Sequence, residues 1–240
     1  MALLGSLRAA PGARPGVVVY SAAVSACRES YQWERGLQLL QDLLSDGLRP
    51  DVIIYSAAIS LCERCLQWEA ALCLLVEMQA LRLRPDLIAY NAAISACEKG
   101  EQWERALGLL RDVRRWRLEP TLVTFSAAVS ACGKCQEWRQ ALWLLWEVEY
   151  CSLQADVVMY TATISACERS DQWELALEVF EMMLERDIVA DKVIFTSFVS
   201  ACHKGHKWES ALQALRDMRQ NGLELDVVIY SAAISACEKG

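Results

Sequence analysis

The sequence lacks any long apolar run, although 54% of its 240 residues are hydrophobic. A membrane-spanning helix needs about eighteen or more apolar residues in succession, whereas the longest run near the middle, residues 141–146, ends at Glu147. The first sixteen residues also lack the apolar central segment of a secretory signal. These absences argue against a membrane partner, and the apolar residues suffice for a large internal core.

Residues 1–16 carry two arginines, no acidic residue, and four prolines or glycines near their end. This composition predicts a disordered leader that precedes the folded part of the chain. The arginines and the lack of acidic residues also fit a short transit peptide, an alternative that the sequence leaves open.

The usual sequence signatures of catalysis are missing as well. His203 and His206 are the only histidines, and their i, i+3 spacing falls at a predicted turn. No nucleophile–base set, no glycine-rich phosphate loop and no deaminase-type His-x-Glu with Cys-x-x-Cys occurs. We therefore predict no catalytic residue, no metal site, no cofactor and no enzyme activity in this chain.

What the sequence does have is a strict internal period of 35 residues. The aromatic residues Tyr20, Tyr55, Tyr90, Phe125, Tyr160, Phe195 and Tyr230 recur at this spacing, and so do Trp33, Trp68, Trp103, Trp138, Trp173 and Trp208. No insertion disturbs the register from Val17 onward. The period defines six full repeats, 17–51, 52–86, 87–121, 122–156, 157–191 and 192–226, and a partial seventh, 227–240.

Each repeat has the pattern of two helices. In the third repeat, Tyr90, Ile94 and Cys97 lie on one helical face. Gly100 suits the position just past that helix, and Trp103 opens a second apolar stripe. A hairpin of this kind cannot bury its own apolar face, so neighbouring repeats must stack into an α-solenoid. We predict thirteen helices with largely buried tryptophans; Gly36 stands where other second helices have Ala and weakens its helix.

Seven of the eleven cysteines follow the same period: Cys27, Cys62, Cys97, Cys132, Cys167, Cys202 and Cys237. Stacked copies should lie about 10 Å apart, beyond the ~7 Å Cα limit for a disulfide. We therefore expect free, buried thiols and a reducing compartment. The pairs Cys62/Cys65 and Cys132/Cys135 occupy one slot two repeats apart, so they should not share a zinc ion.

The partial seventh repeat has a first helix and no second one. The apolar face of that helix, formed by Tyr230, Ala233, Ile234 and Cys237, should then be exposed on one side. Because solenoids need terminal caps, we expect the natural chain to continue past this point or to associate there.

The chain resembles the pentatricopeptide repeat family over residues 17–240. The resemblance rests on the 35-residue period, the Val-x-x-Tyr-Ser/Asn/Thr opening seen at 52–56, Ala106-Leu107 within the second helix, and the Pro-Asp junctions. It implies an all-α, right-handed solenoid of helix-turn-helix repeats that binds single-stranded RNA, one base per repeat. It also implies a plastid or mitochondrial role in transcript processing, stabilisation or editing, together with other RNA-processing proteins. A protein-binding helical-repeat scaffold is the alternative.

The resemblance further implies which residues contact RNA. The residue after the aromatic and the last residue of the repeat form what we term the recognition pair, at the base edge: Ser21/Asp51, Ser56/Asp86, Asn91/Thr121, Ser126/Asp156, Thr161/Asp191, Thr196/Asp226, and Ser231 alone. The Val or Ile two residues before the aromatic packs on the base face: Val18, Ile53, Ile88, Val123, Val158, Val193 and Val228. An Asp or Thr before a helix is also an ordinary N-cap, so both interpretations stay open.

In the family, Ser or Thr with a terminal Asp favours G, and Asn favours a pyrimidine. Applied to these pairs, the resemblance implies a preference for 5′-GG(C/U)GGG-3′, from the amino to the carboxyl end. The double substitution Asn91→Ser with Thr121→Asp should change the third base to G.

The charge distribution is unusual for a nucleic-acid binder. The net charge is −7 and the pI about 5.0, the reverse of the usual basic footprint. The fifth repeat carries two arginines against eight acidic residues, which leaves the rest near neutral and favours the scaffold alternative. Candidate phosphate contacts end the first helices: Arg64, Lys99, Lys134, Arg169, Lys204 and Lys239. Such cations also complement helix C-termini, and we expect weak, salt-sensitive RNA binding.

Overall fold

The structure, a computed structural model, describes residues 16–238. The predicted leader up to residue 15 and the candidate contact Lys239 lie outside these residues. Thirteen helices occupy the described part, and they are α1 (Val17–Glu29), α2 (Trp33–Ser45), α3 (Val52–Arg64), α4 (Trp68–Ala80), α5 (Leu87–Lys99), α6 (Trp103–Arg115), α7 (Leu122–Lys134), α8 (Trp138–Tyr150), α9 (Val157–Arg169), α10 (Trp173–Glu185), α11 (Lys192–Lys204), α12 (Trp208–Gln220) and α13 (Val227–Glu238). The prediction of thirteen helices is confirmed. None of them is long and apolar enough to span a membrane.

The described helices form two compact units, residues 16–120 with α1–α6 and residues 121–238 with α7–α13. Within each unit, the first helices of successive repeats pack on one another. Each second helix packs on the first helix of its own repeat and on that of the next repeat in the same unit. Every unit is therefore a two-layer stack of hairpins, which confirms the predicted all-α solenoid of tandem repeats.

The aromatic residue of the first helix forms the core of each repeat. Tyr20, Tyr55, Tyr90, Phe125, Tyr160 and Phe195 are almost completely buried. A buried phenol needs a polar partner, and for Tyr20 and Tyr160 a residue just after the second helix of the same repeat supplies it. Tyr20 Oη donates to Asp46 Oδ2 at 2.6 Å, and Arg186 Nη1 donates to Tyr160 Oη at 2.8 Å. These bonds join the two helices of a hairpin.

The tryptophans are less buried than the sequence predicts. Trp33, Trp68, Trp103, Trp138 and Trp173 are half-buried, and Trp208 is exposed. The prediction of large burial is wrong at Trp208, and the other five are partly buried because each tryptophan is the first residue of its helix and lies at the edge of the stack. Trp68, for example, has the Arg105 guanidinium 5.1 Å from its ring centroid.

The glycine after α5 has a packing role. Gly100 follows the helix directly, but its φ is −88°, and the left-handed residue is Glu101, at φ 55°. A Cβ on Gly100 would lie 2.2 Å from Trp68 Cδ1. Gly205 has the same relation to Trp173, at 2.4 Å from its Cε3. Both glycines thus make room for the tryptophan of the preceding repeat.

All eleven cysteines are free thiols. The six in the slot of Cys27 through Cys202 are buried, as predicted, whereas Cys237 is exposed. On α13, Tyr230 and Ile234 are exposed as expected, but Ala233 is buried. The expected exposure is therefore found at three of the four residues. Ala233 is buried because α13 packs on α11 and α12.

Candidate nucleic-acid interface

The last residue of each repeat caps the next first helix. Asp side chains accept a hydrogen bond from the backbone N–H three residues later, at 2.8–3.0 Å, at Asp51, Asp86, Asp156, Asp191 and Asp226. Thr121 forms a capping box with Thr124: its side chain accepts from the Thr124 N–H, and its own N–H donates to Thr124 Oγ1 at 3.1 Å. The capping interpretation is thus confirmed, and it fixes each carboxylate at the start of a first helix.

Two recognition pairs are joined by a direct hydrogen bond. Ser56 Oγ lies 3.0 Å from Asp86 Oδ1, and Ser126 Oγ lies 3.1 Å from Asp156 Oδ2. Ser56 Oγ also lies 2.8 Å from the Val52 carbonyl oxygen. The hydroxyl has one proton, so it can donate to the carboxylate or to the backbone.

The threonine pairs are arranged differently. Thr161 and Thr196 donate to the carbonyl oxygen four residues earlier, at 2.7 Å in both cases. Ser231 makes the same bond at 2.7 Å. A hydroxyl held in this way can still accept a hydrogen bond from a ligand, because its oxygen keeps a second lone pair.

Two further pairs complete the set. Ser21 lies on α1 and Asp51 caps α3, both in the first unit. Asn91 belongs to the first unit and Thr121 to the second. Asn91 lies on α5.

Within each unit, the predicted base-face residues form an exposed row. Each is a Val or Ile at the second position of a first helix, and its exposure ranges from 50% at Val158 to 82% at Val18. The others are Ile53, Ile88, Val123, Val193 and Val228. A core function does not explain these side chains, because they are in solvent while the residue after each of them is buried in every repeat except the first. Exposed apolar surface that recurs in register is typical of a ligand-binding face.

The basic residues that end the first helices are largely in ion pairs. Arg64 Nη1 lies 3.2 Å from Glu29 Oε1, and Lys99 pairs with Glu63. Lys204 Nζ lies 3.1 Å from Glu168 and 2.9 Å from Asp171. Each pair links one repeat to the preceding one. Exposed pairs contribute about 0–1 kcal/mol, so a phosphate can compete for these cations at a modest cost.

Lys192 is a charged residue that sequence reasoning missed. It opens α11 at a slot where other first helices have Val or Leu. Its Nζ lies 3.0 Å from Asp226 Oδ2, the carboxylate of the sixth recognition pair. The Ile229 N–H and then Lys192 hold the pKa of Asp226 below its usual range. The signal available in the sequence was a lysine at a position where the other first helices have Val or Leu.

Cys62 and Cys132 are buried, and the two histidines lie near the end of a first helix. Burial raises the pKa of Cys62 and Cys132 to about 12, so these thiols are protonated at neutral pH. His203 lies in the last turn of α11, and His206 in the turn after it. Within residues 16–238, no three His, Cys, Asp or Glu side chains are grouped to hold a metal ion.

Comparison with solved structures shows the same fold. PPR10 in complex with an 18-nt psaJ RNA element matches 99% of this chain and 35% of its own, with 19% identity and a TM-score of 0.82. PPR10 from maize matches 100% of this chain and 39% of its own, with 19% identity and a TM-score of 0.62. The PPR domain of Arabidopsis thaliana protein-only RNase P 1, in complex with tRNA, matches 75% of this chain and 95% of its own, with 13% identity and a TM-score of 0.69. The chain thus spans less than half the length of PPR10.

Family models match the sequence directly. The pentatricopeptide repeat domain model matches residues 38–100, 73–135 and 183–239, and the PPR repeat model matches residues 158–188. No curated protein matches the sequence. Because the family models cover most of the chain and its helices follow their 35-residue period, this chain belongs to the pentatricopeptide repeat family.

Proposed function

We propose that this chain binds single-stranded RNA sequence-selectively, with one base at each repeat. The observation that carries the proposal is the exposed Val or Ile beside a small polar pair in each full repeat. An apolar side chain can pack on any base, whereas polar groups distinguish base edges. The RNA-bound structures of PPR10 and of protein-only RNase P 1 support RNA as the ligand.

The Ser126/Asp156 pair suggests how guanine is recognised. Asp156 Oδ1 accepts from the Met159 N–H, and Oδ2 accepts from Ser126. A carboxylate has about four acceptor sites, so sites remain for the N–H donors of guanine. The hydroxyl can turn its proton to guanine O6. We therefore expect a G at the five pairs that contain Asp and a pyrimidine at Asn91/Thr121, which gives 5′-GG(C/U)GGG-3′.

Binding should be weak and salt-sensitive. The net charge of −7 opposes RNA, and three of the candidate phosphate-binding cations are already paired. Arg169 and Lys134 are exposed at the same position of their first helices. Affinity should fall steeply as salt rises because each phosphate contact releases counterions. In this proposal the protein acts in a plastid or mitochondrion, where it protects, exposes or processes a transcript with other proteins.

A test is to exchange one recognition pair. The substitution Asn91→Ser with Thr121→Asp gives the third repeat the pair of the second, Ser56/Asp86. We expect preference at the third base alone to change from pyrimidine to G. An unmatched buried polar group costs about 1–3 kcal/mol, so the change should be about fivefold or more, at ~1.4 kcal/mol per tenfold. Fluorescence anisotropy on six-base RNAs in lithium salt, which disfavours guanine quadruplexes, measures it.

The matched control is Arg111→Gln, an exposed substitution on the second helix of the same repeat. It should leave the order of RNA preferences unchanged. If the exchanged pair binds both RNAs as the parent does, the recognition pairs are helix caps only. If the parent binds no RNA even at low salt, the proposed function is wrong. The alternative, a protein-binding scaffold, is favoured by the exposed carboxylates of α10, since they repel phosphates.

A further inference from the structure

Helix α8 exposes three aromatic side chains that contribute little to the core. Trp143 is 48% exposed, Trp146 54% and Tyr150 91%. Their i, i+3, i+7 spacing puts them on one helical face, over a length of about 10 Å at ~1.5 Å per residue. We name these three residues the aromatic stripe. The apolar residues that α8 needs for packing, such as Leu144, Leu145 and Val148, are separate and buried.

The repeat fold does not require aromatic residues at these slots. The equivalent residues are Gln38, Gln41 and Ser45 in the first repeat, Cys73, Val76 and Ala80 in the second, Gly108, Arg111 and Arg115 in the third, Glu178, Glu181 and Glu185 in the fifth, and Gln213, Arg216 and Gln220 in the sixth. Each of those helices forms without them. An exposed group of three large aromatics therefore indicates a contact with another molecule.

The neighbouring second helix carries charge of one sign at the same slots. Glu178, Glu181 and Glu185 of α10 are exposed, and Glu174 extends the row by one turn. None of the four forms an ion pair with a described residue. We name them the acidic stripe. Arg186 Nη2 lies 2.6 Å from Glu149 Oε1, so the C-terminal ends of α8 and α10 are adjacent, and both helices pack on α9.

We propose that the two stripes form a docking site for an amphipathic helix of another protein. Its apolar residues, at i, i+3 or i+4, and i+7, cover the aromatic stripe, since helix-in-groove recognition uses this spacing. Lysine or arginine residues on one flank face the acidic stripe, and this charge complementarity sets partner choice and orientation. RNA is a poor occupant because four carboxylates would repel its phosphates.

The site is also separate from the proposed RNA-binding row. The two stripes lie on second helices, whereas Val123 and Val158 lie on the first helices α7 and α9 of the same unit. Binding of the helix should therefore leave affinity for RNA unchanged. A protein of this kind could hold a partner beside a bound transcript.

The probe is a displayed library of 20-residue amphipathic helices with one apolar face and flanks randomised among Lys, Arg, Glu, Gln and Ser. We expect the full chain to select sequences with a basic flank. The best of these peptides, labelled with a fluorophore, is then titrated in anisotropy measurements. The variant Trp143→Gln with Trp146→Gln copies Gln38 and Gln41 of the first repeat, so the helix should still fold. It should bind about 30-fold more weakly, which corresponds to ~2 kcal/mol at ~1.4 kcal/mol per tenfold.

Two further variants separate the roles of shape and charge. Glu178→Gln with Glu181→Gln should weaken binding about fivefold and reduce its salt dependence, as expected for charges at an interface rim. Val76→Gln, an exposed apolar residue at the slot of Trp146 in the second repeat, should change nothing. Selection of acidic or uncharged flanks, or unchanged binding by the tryptophan variant, would overturn the proposal. The proposal would also be overturned if the parent chain formed a dimer that the tryptophan variant abolishes. Loss of RNA binding in the tryptophan variant would overturn it as well.

Discussion

The pairing of Gly36 with Leu61 gives the sharpest test of how the repeats pack. A Cβ added to Gly36 would lie 2.2 Å from Leu61 Cδ2, which is an outright clash. Leu61 is fully buried, and it stands where the other first helices have Ala26, Ala96, Ala131, Ala166, Ala201 and Ala236. Gly36 stands where the other second helices have Ala71, Ala106, Ala141, Ala176 and Ala211. The larger residue of one helix therefore fills the space that the smaller one leaves.

The energies predict a strong coupling between the two positions. Gly36→Ala gains about 1 kcal/mol of helix propensity, but overpacking costs about 1–3 kcal/mol. The single substitution should thus be neutral to destabilising by about 2 kcal/mol. Leu61→Ala alone should cost about 2–5 kcal/mol through its cavity. The double variant has the same pair of alanines as Ala71 and Ala96. Its loss of unfolding free energy should be smaller than the sum of the two single losses by about 1–3 kcal/mol.

Urea unfolding followed by circular dichroism measures this cycle. Gly108→Ala is the matched control, because a Cβ there meets nothing within 4 Å in the middle of α6. It should stabilise the chain by about 1 kcal/mol. If Gly36→Ala stabilises as much as this control, or if the cycle is additive, Leu61 does not fill the space at Gly36. The packing argument would then be refuted.

Other predictions follow from buried groups. Gly133→Ala should destabilise by about 1–3 kcal/mol in thermal unfolding, because its Cβ would lie 2.8 Å from the Ala162 carbonyl oxygen, and a backbone atom cannot rotate away; a gain like that of Gly108→Ala would contradict this. Iodoacetamide at neutral pH should modify exposed Cys73 and Cys151 but leave Cys167 and Cys202 until the chain unfolds, as counted by mass spectrometry. Burial raises the pKa of both buried thiols from 9.0 to about 12, so the stability that they contribute below pH 9 should be lost as the pH rises toward 12; a flat profile there would reject deep burial.

The 35-residue period was enough to locate every helix in the described chain. Apolar spacing fixes which face of a helix turns inward, so Tyr55, Tyr90 and six of the seven recurrent cysteines were placed correctly in the core. The spacing does not specify how deeply a side chain on that face is buried. The tryptophans belong to the apolar face of the second helices, like the buried residues that follow them. They are less buried because they begin the helix beside the turn, where Trp68 packs against Gly100.

The polar contacts of the candidate site were predictable only in part. The N-caps follow from an Asp that precedes a helix, a local relation that the sequence shows. The ion pair of Lys192 with Asp226 spans almost a full repeat. The Glu63–Lys99 pair likewise joins equivalent ends of adjacent first helices. Such contacts depend on how neighbouring repeats stack, and no pattern within one repeat specifies them.

The structure also changes how capping and base recognition relate to each other, because one carboxylate can do both. Asp86 Oδ1 accepts the Ala89 N–H at 2.9 Å and also lies 3.0 Å from Ser56 Oγ, which uses both lone pairs of this oxygen and leaves those of Oδ2 for a base. Asp86→Asn separates the two functions, since Asn caps a helix about as well as Asp. The substitution replaces one acceptor oxygen with a donor amide.

We therefore expect Asp86→Asn to change the free energy of unfolding by about 1 kcal/mol or less. The same variant should lose the preference for G at the second base, while preferences at the other positions stay as in the parent. Asp46→Asn, which alters a carboxylate bound to Tyr20 at 2.6 Å outside the recognition pairs, is the control and should leave base preference intact. A variant that unfolds much more easily, with its base preferences unchanged, would show that Asp86 is a cap and nothing more.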